Sequence, residues 1–597
     1  MHTTAAPSNA GPRALLPWLF PIALWALATL AFGGDLGRYF DDYATTMRDP
    51  VTGEVNLRAP FEQFPFFWRP LHWLYVFHSL TWFHDRLWIP HVLTAVSHGV
   101  ASILLYTLLR RLLRSPQAAA GPALLFAVYP MNYEVTIWIA STTNSMATSV
   151  WFLLAHLYIS YLRGRAGLWA PLAMVPLAFA IPCLNEQASA GILALPVLGL
   201  FLPGRATPLP RRLLLAAWPV AAASLMVLLY IILLRATAPP GWRGAAGSYL
   251  ALGDVVPRLR WVAHELGVVH YQWRLMGSFR HGWPAGLEAL PVLSWIFWTA
   301  ILAVTFLPWL SRWCRTPLRP PSSGDDDADA DLADDDAPNF PPSPLVVFAF
   351  GLAFFVAAWL PLVVIIGQIA ESRMGYFPAV GAAVALGALI DVAAAGAVRA
   401  RLEALFKPLL AVAVALAAWV GAVCLVGHHR AFQDQAKADL AQAARLRDLV
   451  PDPPPGAVFV PLHVAAPQTG AAARLRPVIV GWLWVRHGAT PLIRETYRRA
   501  DLRTTIFNPW FPFPIKDADA EGFTYTAEGD GERFAWDAAI PFIIDDQERV
   551  HLVREVVIEG PDGAATVVHP PLVARAVEAG APAPDAVSWT LQTQPPS

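Results

Sequence analysis

Long apolar runs separated by short polar gaps make up most of the chain. A helix needs about 20 apolar residues to cross a bilayer. Runs of that order lie at roughly 15–33, 88–109, 119–136, 143–162, 168–183, 187–203, 213–234, 290–310, 344–366, 376–397 and 408–427. The pattern predicts about eleven transmembrane helices. Short gaps rich in arginine mark the cytoplasmic side. RRLLR (110–114), RGR (163–165), the RR at 211–212 with Arg205, SRWCR (311–315) and RARLEALFK (399–407) fall on one side if the spans alternate. Residues 1–14 are then cytoplasmic. The run 15–33 is long for a signal-peptide core and has no clean small-x-small cleavage site, so it reads as a retained helix.

Three larger regions fall on the opposite, extracytoplasmic side. The first loop, 34–87, contains FEQFPFFWRPLHWLYVFHSLTWFHDRLW, whose aromatics at helical spacing suit a helix lying in the interface. The middle loop, 235–289, carries Arg243, Arg258, Arg260, His264 and His270. It reads equally as an amphipathic cover over an active-site mouth or as a surface helix with snorkelling arginines. His264 and His270 are six apart and share no helical face, so no metal site is expected there. The tail, 428–597, opens with the Ala-rich HHRAFQDQAKADLAQAARLRDLV, broken by PDPPP. Strand-like runs follow, AVFVPL, PVIVGWLWV, AAIPFII and VHLVREVVIE, and predict a small β-rich domain. On the cytoplasmic side, within 316–343, the stretch PPSSGDDDADADLADDDAPNFPPS places eight Asp between proline clusters. It cannot bury a core and reads as a disordered acidic linker. The expected fold is an all-α polytopic membrane domain, 15–427, with a β-rich extracytoplasmic C-terminal domain.

Composition narrows the function classes. Hydrophobic residues make up 56% of the 597 and charged residues 15%, against about a quarter charged in soluble proteins. This excludes a soluble enzyme with a single anchor. A net charge of -1 gives no reason to expect nucleic acid as a partner. Cys183, Cys314 and Cys424 lie in or beside apolar runs with no paired spacing, so neither a disulfide nor a zinc site is expected.

Ionisable residues at membrane edges are costly and therefore draw attention. Four groups face the extracytoplasmic side in this topology: Asp41 and Asp42 in YFDDYATTMRDP, Glu134 in YPMNYEVTIWIASTTN, Asn185 and Glu186 in IPCLNEQAS, and Glu371 with Arg373 in GQIAESRMGYFP. Arg69 in FWRPLHW joins them. Each alone reads as a solvated loop charge. Together they suit group transfer from a lipid phosphate. A carboxylate takes the proton of an acceptor hydroxyl, a guanidinium forks onto phosphate oxygens, and a second acid has the hard oxygens that a divalent cation needs. The residues leave open whether a metal takes part.

These segments resemble a known family. The FDD of YFDD, Arg69-Pro70-Leu71, YPMNYEVTIWIASTTNSMA, CLNEQASAGILALPV and ESRMGYFPAVGAA are similar to the FDD, YRPL, HPxHxEAVAWIxGRxDLLA, LSKExAxxLPxVL and ERYLYLPSxGF segments of transmembrane-and-tetratricopeptide protein O-mannosyltransferases and their bacterial relatives. The order and spacing hold over about residues 15–427. The resemblance implies the GT-C glycosyltransferase fold, a donor sugar on a polyprenyl phosphate, and a glycan, lipid or protein acceptor at the bilayer. It implies a multi-pass protein of the cytoplasmic membrane with a periplasmic C-terminus. It makes Asp41 the catalytic base, Asp42 its partner at the acceptor, and Arg373 the donor-phosphate ligand. Arg69, Glu134, Glu186, Glu371 and Tyr376 become substrate-cavity residues. Two positions depart from the family: STTN (141–144) stands where GRxD is usual, and Asn185 stands where a lysine is usual. The tetratricopeptide array gives way to the strand-rich tail. Two other classes stay open. One is a transporter or flippase, for which His91, Ser97 and His98 are the obvious mid-span polar groups. The other is a non-catalytic protein that binds lipid-linked sugar or scaffolds an envelope assembly.

Overall fold

The computed structural model of the chain describes residues 47–49, 52–58, 69–167, 169–202, 207–237, 275–289, 342–364, 375–464, 489–505, 515–525, 532–559, 565–578 and 586–592, with isolated positions at 257–264, 296 and 311–315. The chain divides into two compact units. One comprises Met1–Gly33, Pro65–His72 and His91–Gly427; the other comprises Gly34–Phe64, Trp73–Pro90 and His428–Ser597.

Helices build the first unit: α1 (Pro70–Trp82, shared with the second), α2 (Trp88–Leu112), α3 (Pro116–Ala127), α4 (Thr142–Leu162), α5 (Trp169–Leu184), α6 (Leu195–Phe201), α7 (Leu209–Thr237), α8 (Trp283–Ala289), α9 (Pro344–Val364), α10 (Tyr376–Arg399) and α11 (Glu403–Leu449). Among the described residues, four helices are long and apolar enough to cross a membrane: Trp88–Leu112, Ile139–Leu162, Tyr376–Arg399 and Glu403–Leu449. Trp169–Leu184, Glu186–Phe201 and Pro344–Leu360 are shorter apolar helices. The runs 15–33 and 290–310, most of the middle loop and the acidic linker lie outside the described residues, apart from isolated positions.

Local chemistry sets the breaks. The run 119–136 does not continue as one helix. Tyr129 precedes Pro130 and is extended (φ -63°, ψ 121°), as a residue before proline prefers. The chain then passes through short turns, Pro130–Asn132, Tyr133–Ile137 and Ile139–Ser141, before α4 starts. Asn185 separates α5 from the helical turn Glu186–Ser189. It is extended, and its side chain accepts the Gln187 N–H at 2.9 Å as an N-cap. Ser115 caps α3 in the same manner. The Asp391 carboxylate of α10 accepts the Ser115 backbone N–H at 2.9 Å. α9 and α10 cross at small residues. A Cβ on Gly381 would sit 2.5 Å from the Phe355 backbone nitrogen, so the two backbones touch there.

The second unit holds an α/β layer arrangement. Its elements are the end of α11, β1 (Val458–Val464), α12 (Ala489–Tyr497), β2 (Arg503–Thr504), β3 (Ile515–Ala518), β4 (Gly522–Tyr525), β5 (Glu532–Ala535), β6 (Ala539–Ile544), β7 (Val550–Glu559), β8 (Ala565–Val568), α13 (Pro571–Glu578) and β9 (Ala586–Gln592). One sheet runs β2-β1-β6-β7-β8, with β9 also paired to β7. β1 pairs in parallel with both β2 and β6, and β6–β7 and β7–β8 are antiparallel. β3, β4 and β5 form a separate antiparallel sheet. The central strands of the main sheet, β1 and β6, are buried on both faces. Phe459, Ile540, Phe542 and Leu552 pack on one side with Leu446 and Leu449 of α11 and with Leu492 and Val573. Val458, Val460, Ile543, Val553 and Val556 pack on the other with Phe523 and Trp536. That double burial accounts for the nearly continuous apolar runs of β1 and β6. From the first loop, the Met47 backbone N–H donates to Thr81 Oγ1 at 2.9 Å, and Met47 packs on Phe77 and Trp73. His84 Nε2 lies 3.8 Å from a carboxylate oxygen of Glu495 on α12.

Candidate active site

Four of the eight expected site residues are described. Asp41, Asp42, Glu371 and Arg373 lie outside the described residues. The other four, Arg69, Glu134, Glu186 and Tyr376, all sit on the first unit.

Arg69 immediately precedes α1 at φ 63°, a left-handed conformation that few residues with a Cβ adopt. Its guanidinium makes a two-pronged contact with Glu186: Nε donates to one carboxylate oxygen and Nη2 to the other. The side chains are 28% and 20% exposed, so the pair is largely but not fully withdrawn from water. Glu186 opens a helical turn just after the Asn185 cap. Residues 117 positions apart in the sequence therefore form the planar fork that matches a guanidinium to oxyanions.

Next in sequence to this pair's residues, or in contact with their neighbours, is a set of buried neutral polar groups. Four consecutive residues in the first turn of α4 each reach another segment. Thr142 Oγ1 lies 2.6 Å from Thr94 Oγ1, and Thr143 Oγ1 lies 2.7 Å from His72 Nδ1. Asn144 Oδ1 accepts from Asn185 Nδ2. The Ser145 hydroxyl donates to Ser97 at 2.8 Å. Asn144 and Asn185 also line a narrow crevice with Gln187, Ala188, Tyr376 and Phe377. Asn144, the last residue of STTN, thus touches Asn185.

Tyr376 begins α10 and is buried. Its hydroxyl lies 2.7 Å from His98 Nδ1, and His98 Nε2 lies 2.9 Å from the Ala127 carbonyl. A carbonyl only accepts, so Nε2 carries the proton and Nδ1 accepts from the tyrosine. His98 and Ser97, two of the three polar groups that suggested a transport path, are engaged in contacts between helices. Glu134 is buried in the turn Tyr133–Ile137, and the Tyr133 hydroxyl donates to it at 3.4 Å. Sequence reasoning marked Thr143 and Asn144 only as part of STTN and missed His72 and the contacts that join them to the site. The signal was present in four polar residues opening an otherwise apolar helix. Among the described residues, no group of three or more His, Cys, Asp or Glu could hold a metal ion.

No protein-family model matches the chain, and no curated protein matches it. Solved structures do. The oligosaccharyltransferase of Archaeoglobus fulgidus, tethered to an acceptor peptide containing the NVT sequon, is 14% identical with a TM-score of 0.38, over 83% of this chain and 64% of that one. ArnT from Cupriavidus metallidurans, bound to undecaprenyl phosphate, is 14% identical with a TM-score of 0.34, over 84% and 86%. The archaeal oligosaccharyltransferase AglB, in complex with an inhibitory peptide and a dolichol-phosphate, is 14% identical with a TM-score of 0.35, over 84% and 61%. These proteins are GT-C glycosyltransferases. The chain spans less than two thirds of the length of the archaeal enzymes it matches. TM-scores below 0.5 leave the functional reading to rest on residues and their geometry.

Proposed function

We propose that the chain is a membrane glycosyltransferase that moves a monosaccharide from a polyprenyl phosphate to a hydroxyl acceptor on the extracytoplasmic side of the cytoplasmic membrane. The observation that carries this reading is the Arg69–Glu186 fork. It joins two of the motif segments, RPL and LNEQ, at one partly exposed point. The grouping of Gly34–Phe64 with His428–Ser597 in one unit supports putting the first loop and the tail on the same side of the bilayer.

In the proposed reaction Asp41 takes the proton of the acceptor hydroxyl. The oxygen attacks the anomeric carbon as the bond from that carbon to the phosphate oxygen breaks, and the polyprenyl phosphate leaves with the electron pair. Arg373 stabilises the leaving phosphate, and Asp42 orients the acceptor. Arg69 sits beside the phosphate with Glu186 holding its fork in plane. Glu134, Glu371 and Tyr376 complete the cavity. Holding both substrates in one geometry supplies a large part of the acceleration. A divalent cation, if the enzyme uses one, would take carboxylate oxygens from the same acids.

The test is sugar transfer by the full-length protein in nanodiscs, offered a panel of polyprenyl-phosphate sugars with periplasmic extract as acceptor. Wild type should release polyprenyl phosphate, and Asp41→Asn should lose at least about 100-fold of that rate, as expected for a general base. A folded wild type that binds the donors but never releases product would favour the non-catalytic binding protein instead. Equal turnover by wild type and Asp41→Asn would remove Asp41 as the base.

A further inference from the structure

The contacts around Arg69 close on themselves. Glu186 holds the guanidinium. Its chain neighbour Asn185 donates to Asn144. Thr143, next to Asn144, meets His72 at 2.7 Å. His72 lies in the first turn of the helix that Arg69 precedes. Three side-chain contacts thus alternate with three short stretches of backbone. The ring encloses the one position among these at which the backbone is strained, Arg69 at φ 63°. Strain of this kind persists only where the surroundings over-determine it.

We propose that Asn144, Asn185 and His72 are positioning residues that set the orientation of the Arg69–Glu186 pair through this ring. The inference rests on reading Arg69 as a donor-phosphate residue. Asn185 has two tasks at once. Its Oδ1 caps the turn carrying Glu186 by accepting the Gln187 N–H, and its Nδ2 ties that turn to α4 through Asn144. His72, Thr143, Asn144 and Asn185 are all buried, from 2% to 9% exposed. At such depth an unpaired charge is costly, so a neutral amide pair fixes the turn without competing for the guanidinium or the carboxylate. Loss of the Asn144–Asn185 contact frees the turn, and Glu186 no longer presents the guanidinium in one plane.

The experiment uses the full-length protein in nanodiscs and undecaprenyl phosphate as the probe. Asn144→Ala removes the acceptor. Asn185→Ser keeps an N-cap of comparable quality but no longer reaches α4. Each single variant should bind the probe about tenfold more weakly, and the double variant no more weakly than the poorer single, because one shared contact is lost only once. A merely structural role would lower the melting temperature and leave the affinity of the folded protein unchanged. Wild-type affinity in both singles overturns the proposal, as does a double variant whose loss is the product of the singles, about 100-fold. If Asn144→Ala does not fold, Thr143→Val breaks the ring at His72 and should weaken the same affinity; unchanged affinity there overturns it too. If wild type itself does not bind the probe, the donor-site reading of Arg69 fails and takes this inference with it. That outcome is distinct from wild-type binding with silent variants.

Discussion

At Arg69 a costly backbone and a costly charge are resolved together. A left-handed φ at a residue with a Cβ costs about 1–2 kcal/mol, and a half-buried guanidinium needs an oxyanion. Glu186 supplies one through both carboxylate oxygens. Glu186→Gln keeps the shape and loses the charge. It should destabilise the full-length protein by about 1.5–3 kcal/mol, the usual range for a hydrogen bond to a charged group, read as a lower melting temperature in detergent. An unchanged melting temperature would show that the pair contributes nothing to the fold. The sequence already marked Arg69 and the acids at the membrane edge as groups in need of partners, because unpaired charge is expensive there. It had no means of choosing which acid meets which arginine. That choice depends on how a residue before α1 meets a turn 117 positions later, and no periodicity encodes it. The neutral cluster was harder still to read. Thr142, Thr143, Asn144 and Ser145 resemble an ordinary polar helix start until Thr94, His72, Asn185 and Ser97 are found opposite them.

Among the described helices, apolar length marked several helices and placed their ends unevenly, while the count of about eleven spans is matched by four helices long and apolar enough to cross a membrane. The runs at 143–162 and 376–397 correspond closely to α4 and α10. The run 119–136 was cut by Pro130, whose effect on the preceding residue outweighs apolar continuity. The run 408–427 and the polar stretch after it form one 47-residue helix, α11. No proline or unfavourable turn separates the two halves, and pairs four apart support the polar part: Arg430–Asp434 at 3.1 Å and Gln435–Asp439 at 2.9 Å. PDPPP then ends it. The α9–α10 crossing yields a prediction at this scale. Gly381→Val places atoms where the Phe355 and Gly351 backbones already lie. Because backbone cannot step aside as a flexible side chain does, the two helices must separate. The expected loss is about 1–3 kcal/mol or more, typical of overpacking, with a lower yield of folded protein in detergent. Gly396→Val, where a Cβ meets nothing within 4 Å, should be near neutral in the same assay.

Taken as a whole, the molecule joins an apolar helical unit to a unit with a sheet core, and acid should affect the second through identifiable carboxylates. In β-rich proteins alternation is the usual guide, yet here β1 and β6 are apolar almost throughout because helices or a second sheet cover both faces. The sequence therefore revealed strands but not the parallel β1–β6 pairing, which a long connection makes. At the turn between β6 and β7, Asp545 accepts from His551 Nε2 at 2.8 Å, from Arg549 Nε at 2.9 Å, and from the Gln547 and Arg549 backbone N–H groups. Partial burial alone would raise its pKa, but these hydrogen bonds outweigh it and hold the carboxyl well below its ordinary value. Asp519, bonded by Arg533, is shifted in the same direction. A carboxyl with a depressed folded pKa stabilises the fold fully above its unfolded value of about 4, and that contribution disappears as the pH falls further. In the full-length protein, amide exchange in peptides covering β6 and β7, corrected for intrinsic rates, should therefore stay slow from pH 7 to about 5 and accelerate below about 4. Asp545→Asn should exchange faster at pH 7, by an amount equivalent to about 1–2 kcal/mol, and show a flatter acid limb. Identical acid limbs in the two proteins would mean that Asp545 does not couple this turn to pH and that the loss of stability in acid begins elsewhere.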